Sequence, residues 1–318
     1  MRPRTSPIMT FDEMIEEAVT VGPKTVAVAA AADPEVLIAA EEVERKGIAH
    51  CHLVGDERAI RAIAEREGLG LVGMEITNIA DPLLAAREAV RLASVGAADV
   101  VAKGQLKTDE LLGTALDRQY GIRRGRLLTH VGIFEIPGLD RLIYISDSGV
   151  VLYPTIYQKL EIIQNAVEVA RLFGIQRPKV AILAASETVH PKVPSSIDAL
   201  ALSRMAAQGW VDDAVVDGPL PLDAAISPEA ARIKNLGGEV AGRADILIVP
   251  SVEAGNTMAK SILYFANGRM AGLVVGAKVP IIINSRADEH VTRVLSIAMA
   301  VVLAHAQHAI PPIPQGGF

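Results

Sequence analysis

Short apolar runs alternate with longer segments of helical periodicity along almost the whole chain. In the first third, runs typical of buried strands occupy residues 25–31, 50–54, 75–79 and 99–102. The segments between them carry the Asp and Gly signals of helix starts and stops, and they predict helices over 33–46, 56–67 and 82–94. This alternation predicts an α/β fold built on an open, mostly parallel sheet.

The same pattern continues to the end of the chain. Further strands are predicted at 141–146, 179–184, 214–217, 245–250, 271–276 and 280–284. Further helices are predicted at 155–173, 195–208, 253–266 and 288–306. The apolar mass is Ala, Val, Ile and Leu with only 3% aromatic residues, which suits parallel strands covered by helices on both faces. The Pro/Gly-rich tail, 310–318, is expected to be loose.

The length of 318 residues exceeds what one hydrophobic core usually serves, so we expect two domains. The Gly/Pro-bearing stretch at 135–138 is the best candidate for the point where the chain passes from the first domain to the second. The loop at 276–280 is the best candidate for the point where it returns. Domain I would then comprise residues 1–137 and 277–318, and domain II would comprise 138–276.

Charge and composition exclude several classes of function. The net charge is −6, so the chain lacks the basic footprint of a nucleic-acid binder. No apolar run reaches the length of a membrane span, and no apolar stretch follows the N-terminal arginines as it would in a signal peptide. The single cysteine, Cys51, allows no disulfide framework and no Cys-rich zinc site. We therefore expect a soluble cytoplasmic protein without a bound metal.

Two strand-to-helix junctions could bind an anion. At the first, Lys103 and Gly104 end a strand and Thr108 opens a helix, whose free N–H groups attract phosphate. At the second, Ser285 and Arg286 follow the last strand, where a guanidinium can grip phosphate with two hydrogen bonds. An ordinary turn and a simple helix cap explain the two junctions nearly as well.

Three further segments carry weaker signals. Gly255 and Asn256 stand at a predicted helix start with Lys260 one turn on, which allows close approach of the backbone or plain turn chemistry. Asp217 ends a strand before Gly-Pro, which is often only a turn. Thr129 and His130 precede an apolar run, where a lone His is more often structural. The chain has no GxSxG elbow, no Walker A loop and no HExxH spacing.

Taken in order, these segments resemble the phosphate acetyltransferase/phosphate butyryltransferase family. The runs that carry the resemblance lie at 103–108, 128–131, 187–192, 217–220, 249–256 and 275–288, and the match extends from about residue 10 to 306. No single run is decisive, but their occurrence in this order is highly specific.

The resemblance implies two open, mostly parallel α/β domains with a cleft between them, like those of isocitrate and isopropylmalate dehydrogenases. It implies a homodimer that moves an acetyl or short-chain acyl group directly between coenzyme A and phosphate, with no acyl-enzyme and no cofactor besides CoA as substrate. Ser285 and Arg286 would stabilise the transition state and bind phosphate. The implied substrate-binding residues are Lys103, Gly104, Thr108, Thr129, His130, Asp217, Gly255, Asn256 and Lys260.

The general base is left open by the sequence. The acetyltransferase branch of the family places an aspartate in the helix after Ser-Arg, but here that helix start is two residues shorter. Asp288 and Glu289 are the candidates, with His290 next. The segment 147–159 also departs from the family pattern, and the preferred acyl length stays open.

Two other classes of function compete with this interpretation. A dehydrogenase of the same fold, acting on a hydroxy acid with NAD, would need a metal-binding Asp set that the sequence does not offer. A CoA-binding regulatory protein would have no need of the Ser285–Arg286 pair, although the undefined base keeps this interpretation open.

Overall fold

The structure is a computed structural model that describes residues 6–309, with side chains to residue 306. The arginines near the N-terminus and the tail expected to be loose lie outside these residues. The helices are α1 Phe11–Val21, α2 Pro34–Arg45, α3 Glu57–Glu67, α4 Pro82–Ser94, α5 Thr108–Ala115, α6 Ile156–Leu172, α7 Pro194–Ala207, α8 Leu222–Ile226, α9 Pro228–Ile233, α10 Val252–Phe265 and α11 His290–Ala309.

The strands alternate with these helices along most of the chain. They are β1 Lys24–Ala29, β2 Ala49–Gly55, β3 Glu75–Asn78, β4 Val100–Lys103, β5 Thr129–Glu135, β6 Ile143–Ser146, β7 Lys179–Leu183, β8 Val215–Leu220, β9 Ile246–Ile248, β10 Arg269–Val275 and β11 Ile281–Ile282. Each predicted strand and each predicted helix is present within a few residues of its expected bounds. The predictions omitted strand β5 and helices α1, α8 and α9, and they gave the last strand five residues where β11 has two.

Capping residues explain why the helices begin where they do. Asp33, Asp56 and Asp81 each stand before a helix and accept a hydrogen bond from the backbone N–H three residues on, at 2.8–3.1 Å. Such a cap contributes about 1 kcal/mol to helix stability. Helix α1 has the same device at Thr10, which accepts from the N–H of Glu13.

All eleven strands of the described residues form one sheet, in the order β3-β2-β1-β4-β11-β10-β5-β6-β9-β7-β8. The first five strands in this order are parallel to one another, and so are the last four. The pairs β11–β10, β10–β5 and β5–β6 are antiparallel. The sheet is therefore mostly parallel, but its direction changes in the middle.

The single sheet runs through both predicted domains. Strands β5 and β10 pair with each other along seven residues across the predicted boundaries, so the two predicted domains share one sheet. Strand β10 of the middle segment lies between β11 and β5, which both belong to the predicted domain I. The division at 137/138 and 276/277 itself stays a prediction.

Helices cover both faces of the sheet, and the cores on the two faces differ. On one face, here called the α11 face, a continuous core runs under α1, α2, α3, α6, α7 and α11. On the other, the α10 face, there are two separate cores. One packs α4 and α5 on β1, β4 and β11, and the other packs α8 and α10 on β6, β7 and β9. No helix among the described residues is long and apolar enough to cross a membrane.

Candidate active site

A groove of about 260 Å³ lies between the two cores of the α10 face. Helix α5 contributes Thr108 on one side, and helix α10 contributes Asn256 and Lys260 on the other. The remaining wall is formed by His130, Ser148, Gly149, Ala259, Met270, Gly272, Ile283, Asn284, Ser285 and Asp288. The groove thus brings together side chains from four of the segments singled out in the sequence.

Asp288 organises the loop between β11 and α11. It is buried, and its Oδ2 accepts a hydrogen bond of 2.8 Å from the backbone N–H of Ser285. It does not cap α11, because that helix begins only at His290. The loop therefore folds back on its own carboxylate, and the side chain of Ser285 stays exposed at the wall of the groove.

Lys260 connects this loop to α10. Its Nζ lies 3.3 Å from Oδ1 of Asp288, whose side chain is only 5% exposed, whereas that of Lys260 is 35% exposed. Both oxygens of Asp288 consequently have partners from the protein. One ion pair joins the predicted domain II to the loop that follows β11.

His130 forms the floor of the groove and is held from two sides. Its backbone N–H donates to Oδ2 of Asp147 at 2.8 Å, and its Nδ1 lies 2.9 Å from Oγ of Ser148. A Cβ at position 272 would lie 2.8 Å from Nε2 of His130, so glycine is needed there for the ring to fit. Burial lowers the pKa of His130 below 6.5, although the carboxylates of Asp147 and Asp288 act in the opposite direction. A neutral imidazole therefore faces the groove at neutral pH.

Two buried cations lie beside the strand ends. Lys103 is 5% exposed, and among the described residues its Nζ donates only to the carbonyls of Gly104 and Leu106, at 3.4 and 3.3 Å. Arg293 is 6% exposed and donates from Nη2 to the carbonyl of Ser285 at 3.1 Å. Burial lowers the pKa of Lys103, and the positive charges of Arg293 and Arg286 lower it further. This corner of the site is a region of positive potential.

Two of the glycines in the predicted site have packing roles. A Cβ at Gly104 would lie 2.2 Å from the carbonyl oxygen of Ala30, so only glycine allows this approach of the chain to β1. A Cβ at Gly255 would lie 2.9 Å from the carbonyl oxygen of Asp147, because α10 packs closely on that segment. Both glycines shape the site through the backbone.

Other predicted site residues lie outside the lining of the groove. Thr129 is fully buried, and its Oγ1 accepts a hydrogen bond of 2.9 Å from Asn165 of α6. Asp217 lies on the edge strand β8 and accepts from the N–H of its neighbour Gly218 at 2.8 Å. Arg286 and Glu289 are exposed on the loop beside the groove. The substrate contacts predicted for Thr129 and Asp217, the phosphate contact of Arg286 and the role of Glu289 as a base stay predictions.

His290, the next candidate for the base, is engaged elsewhere. Its Nδ1 lies 3.2 Å from Oε2 of Glu35, and its backbone N–H donates to the same oxygen at 2.6 Å. This contact ties the start of α11 to the start of α2.

Sequence reasoning did not identify Asp147, Ser148 or Arg293 as site residues. A polar run directly after strand β6 was the available signal for the first two, but 147–159 was considered only as a departure from the family pattern. Arg293 gave no signal, because it stands among apolar residues of a helix and resembles a surface residue of an amphipathic segment.

Comparison with known proteins agrees with the arrangement of these segments. The family model described as "Phosphate acetyl/butaryl transferase" matches residues 10–85 and 81–301. The phosphate butyryltransferase of Clostridium acetobutylicum is 42% identical over 297 residues, which cover 93% of this chain and 99% of that protein. The phosphate acetyltransferase of Thermotoga maritima is 38% identical over 296 residues, which cover 93% of this chain and 100% of that protein.

A solved structure is also similar. A branched-chain phosphotransacylase from Enterococcus faecalis superposes with a TM-score of 0.80 at 30% sequence identity. The superposition covers 89% of this chain and 99% of that chain. The similarity therefore extends through both predicted domains.

Proposed function

Because the chain belongs to the phosphate acetyl/butyryltransferase family, we propose that it moves a short acyl group reversibly between coenzyme A and inorganic phosphate in the groove beside Ser285. Both substrates would be bound at once, and the acyl group would pass directly from one to the other. Holding two reactants in line supplies about 7–11 kcal/mol of such a barrier without a covalent intermediate.

The chemistry of the groove suits this reaction. When a thiol attacks an acyl phosphate, negative charge develops on the carbonyl oxygen and on the departing phosphate. Hydrogen-bond donors and cations aimed at those positions stabilise the transition state. Ser285 and Lys260 line the groove, and the positive charge of Lys103, Arg286 and Arg293 is concentrated next to it. In this scheme Arg286 binds phosphate and Ser285 donates to the carbonyl oxygen.

The thiol of CoA must lose a proton before or during attack. A free thiol has a pKa of about 8.5, so only a few per cent is ionised at neutral pH, and a nearby base would raise that fraction. Asp288 remains the first candidate among the carboxylates because it lines the groove, whereas Glu289 does not. Its two oxygens already hold Ser285 and Lys260, which favours an electrostatic role for it.

We further infer that the two halves of the sheet act as two domains, with the groove as their cleft, in the manner of isocitrate and isopropylmalate dehydrogenases. The change of strand direction in the middle of the sheet supports this, as do the two separate cores on the α10 face. A homodimer, a cytoplasmic location and the absence of any further cofactor are parts of the same proposal.

The observation that carries the proposal is that residues from distant parts of the sequence line the same groove. Thr108, His130, Lys260 and Ser285 are up to 177 positions apart in the sequence, as their numbers give, yet all four line one groove. An accidental set of turn signals would not be expected to gather in this way.

An absorbance assay tests the function directly. Purified protein is mixed with CoA and either acetyl phosphate or butyryl phosphate, and thioester formation is followed in the ultraviolet. A parallel sample with NAD and 2-hydroxy acids tests the dehydrogenase alternative. Thioester formation with at least one acyl phosphate is expected. Binding of CoA without any turnover would instead support the regulatory alternative.

Arg286→Ala tests the assignment of the phosphate contact. We expect kcat/KM for acyl phosphate to fall by about 30-fold or more, because a charge-assisted contact is worth about 2 kcal/mol or more at such a site. Arg61→Ala, which removes an exposed arginine of α3 that pairs with Glu57, is the matched control and should be close to wild type. Near-normal kinetics of a folded Arg286→Ala protein would contradict the assignment.

A further inference from the structure

A second, smaller cavity lies on the α11 face of the sheet, between β4 and β11 below and α2 and α11 above. Its volume is about 20 Å³. It is lined by Val28, Val36, Ala39, Ala40, Cys51, Ala102, Lys103, Ile282, Asn284, Arg293 and Ile297. Asn284, just after β11, lines both this cavity and the groove, so a single buried side chain borders the two spaces.

The body of the cavity is apolar, and the strand register gives its direction. Val28, Ala102 and Ile282 lie side by side on neighbouring strands. Cys51 pairs with Val26, two residues nearer the start of the strands, so it marks the far end. Burial raises the pKa of the Cys51 thiol far above its ordinary value, so this side chain is an unreactive wall.

The mouth of the cavity is polar and incompletely paired. Lys103, Asn284 and Arg293 are all at least nine-tenths buried, and the described residues provide no carboxylate in an ion pair with either cation. Nε of Arg293 and Oδ1 of Asn284 have no hydrogen-bond partner within the described part of the chain. Buried polar atoms are nearly always paired, so these two atoms are suited to pair with a polar group of a ligand at the mouth.

We propose that this cavity is the acyl pocket of the enzyme: it takes the hydrocarbon tail of the acyl group while the carbonyl oxygen lies at the mouth and accepts from Nε of Arg293. The ligand class is a short-chain acyl thioester or acyl phosphate, which has an apolar tail joined to a polar head. This inference rests on the proposed function and names the residues that select its substrate.

A bound water molecule would pair the polar atoms at the mouth, but it does not account for the rest of the cavity. The walls beyond the mouth are hydrocarbon or thiol and offer none of the two to four polar partners that a buried water needs. That apolar part suits a hydrocarbon group.

The size of the cavity sets the expected chain length. A volume of about 20 Å³ has room for roughly one water-sized group. When the methyl of an acetyl group lies at the mouth, the next carbon of a longer acyl chain fits into the cavity without any movement of the walls. Each carbon beyond that requires a wall side chain to move, so the pocket discriminates between acyl groups by length.

The test compares acyl-CoA substrates of increasing length with phosphate. Ala102→Val adds bulk inside the cavity, and Ala27→Val makes the same substitution on the neighbouring strand β1, facing the opposite core. We expect Ala102→Val to lower kcat/KM for butyryl-CoA relative to acetyl-CoA by about 10-fold or more, since one methylene in an apolar pocket is worth about 10–200-fold. Ala27→Val should leave that ratio unchanged.

A second variant keeps the test decisive if Ala102→Val fails to fold. Ile297→Val removes one carbon from the cavity wall and is a conservative change in a buried helix. It should shift the ratio of butyryl-CoA to acetyl-CoA rates in the opposite direction, in favour of the longer chain. Opposite shifts in the two variants would not arise from a general loss of stability.

The outcomes separate this inference from the proposed function. If the wild type transfers acyl groups and neither variant changes the ratio, the cavity is not the acyl pocket. Equal loss with all acyl lengths in both variants would overturn it as well. If the wild type transfers no acyl group of any length, the proposed function fails.

Discussion

Asp288 holds the loop between β11 and α11 with both of its carboxylate oxygens. Oδ2 accepts from the N–H of Ser285, and Oδ1 pairs with Lys260. Asp288 therefore acts mainly by positioning Ser285, because it fixes the backbone from which the Ser285 side chain projects.

Asp288→Asn and Glu289→Gln separate this role from that of a base. Asp288→Asn removes the charge opposite Lys260, so we expect kcat/KM to fall by about 30-fold or more and unfolding free energy to fall by about 1–3 kcal/mol. Glu289 is exposed and outside the groove lining, so Glu289→Gln should stay within a few-fold of wild type in both measurements. Steady-state kinetics and denaturant unfolding of the two proteins provide the comparison.

The opposite pattern would restore Glu289 as the base. Loss of a general base costs about 10²–10⁴-fold in rate with little change in stability. If Glu289→Gln shows that loss while Asp288→Asn does not, the assignment is reversed.

His130 makes the stability of the protein depend on pH. Because burial lowers its pKa below 6.5 in the folded state, the unfolded chain binds a proton at this site more readily. The stabilisation is present above about pH 6.5 and is lost as pH falls below that value towards the lowered pKa. His130→Gln cannot take up this proton, so its melting temperature should fall less than that of wild type between about pH 7.5 and about pH 5.5.

Wild type and His130→Gln share all other titrating groups, so the effect of those groups on the melting temperature cancels when the two proteins are compared. His50 is exposed and makes its only ring contact among the described residues with Glu44, so His50→Gln is a suitable control that keeps the buried imidazole. If the melting temperature of His130→Gln falls with pH as steeply as that of wild type, the buried ring does not cause this pH dependence.

At the scale of elements, α6 fixes the position of β5. Asn165 is 2% exposed, and its Nδ2 donates to the carbonyl of Leu127 at 3.1 Å and to Oγ1 of Thr129 at 2.9 Å. Both acceptors belong to the segment that leads into His130. The helix therefore determines where β5 begins and how His130 enters the groove.

Asn165→Ala should destabilise the fold by about 1–3 kcal/mol, because it leaves two acceptors without their donor. Gln164→Ala on the same helix is the control, since Gln164 accepts a long hydrogen bond of 3.4 Å from the N–H of Asp212, and its effect should be within about 0.5 kcal/mol. Urea unfolding of both variants measures the difference. Equal stability of the two would mean that β5 is positioned by other contacts.

Local patterns predicted most elements because their signals are local. Asp81-Pro82 at the start of α4 combines an N-cap with a first-turn proline, and the predicted helix has the observed bounds. Strand β5 was missed although all but its last residue are buried, because Gly132 interrupts an otherwise regular run. Helix α1 was missed because its buried face consists of only three residues, Phe11, Met14 and Ala18.

At the scale of the whole molecule, the groove exists because the cores on the α10 face do not meet. Strands β10 and β5 cross the gap between them, and they carry Gly272 and His130 at its floor. The order of the strands decides this, and strand order depends on pairing between distant segments that a local pattern does not encode. Ordered motifs therefore predicted which segments share the site, whereas the pairing of β10 with β5 could not be predicted from them.

The ion pair between Lys260 and Asp288 is where the middle segment contacts the end of the chain across this groove. Lys260 belongs to α10, and Asp288 follows β11.

If the two halves act together through this pair, Lys260→Met and Asp288→Asn should not have additive effects. We expect the double variant to lose less than the sum of the single losses in kcat/KM, with a coupling of about 0.5–3 kcal/mol, since each single change leaves the other charge without its partner. The same cycle on Glu229 and Arg232, an exposed pair within α9 that does not line the groove, should show additive effects on kcat/KM. Additive effects of Lys260→Met and Asp288→Asn on kcat/KM, within about 0.3–0.5 kcal/mol, would mean that the two sides of the groove contribute to catalysis independently.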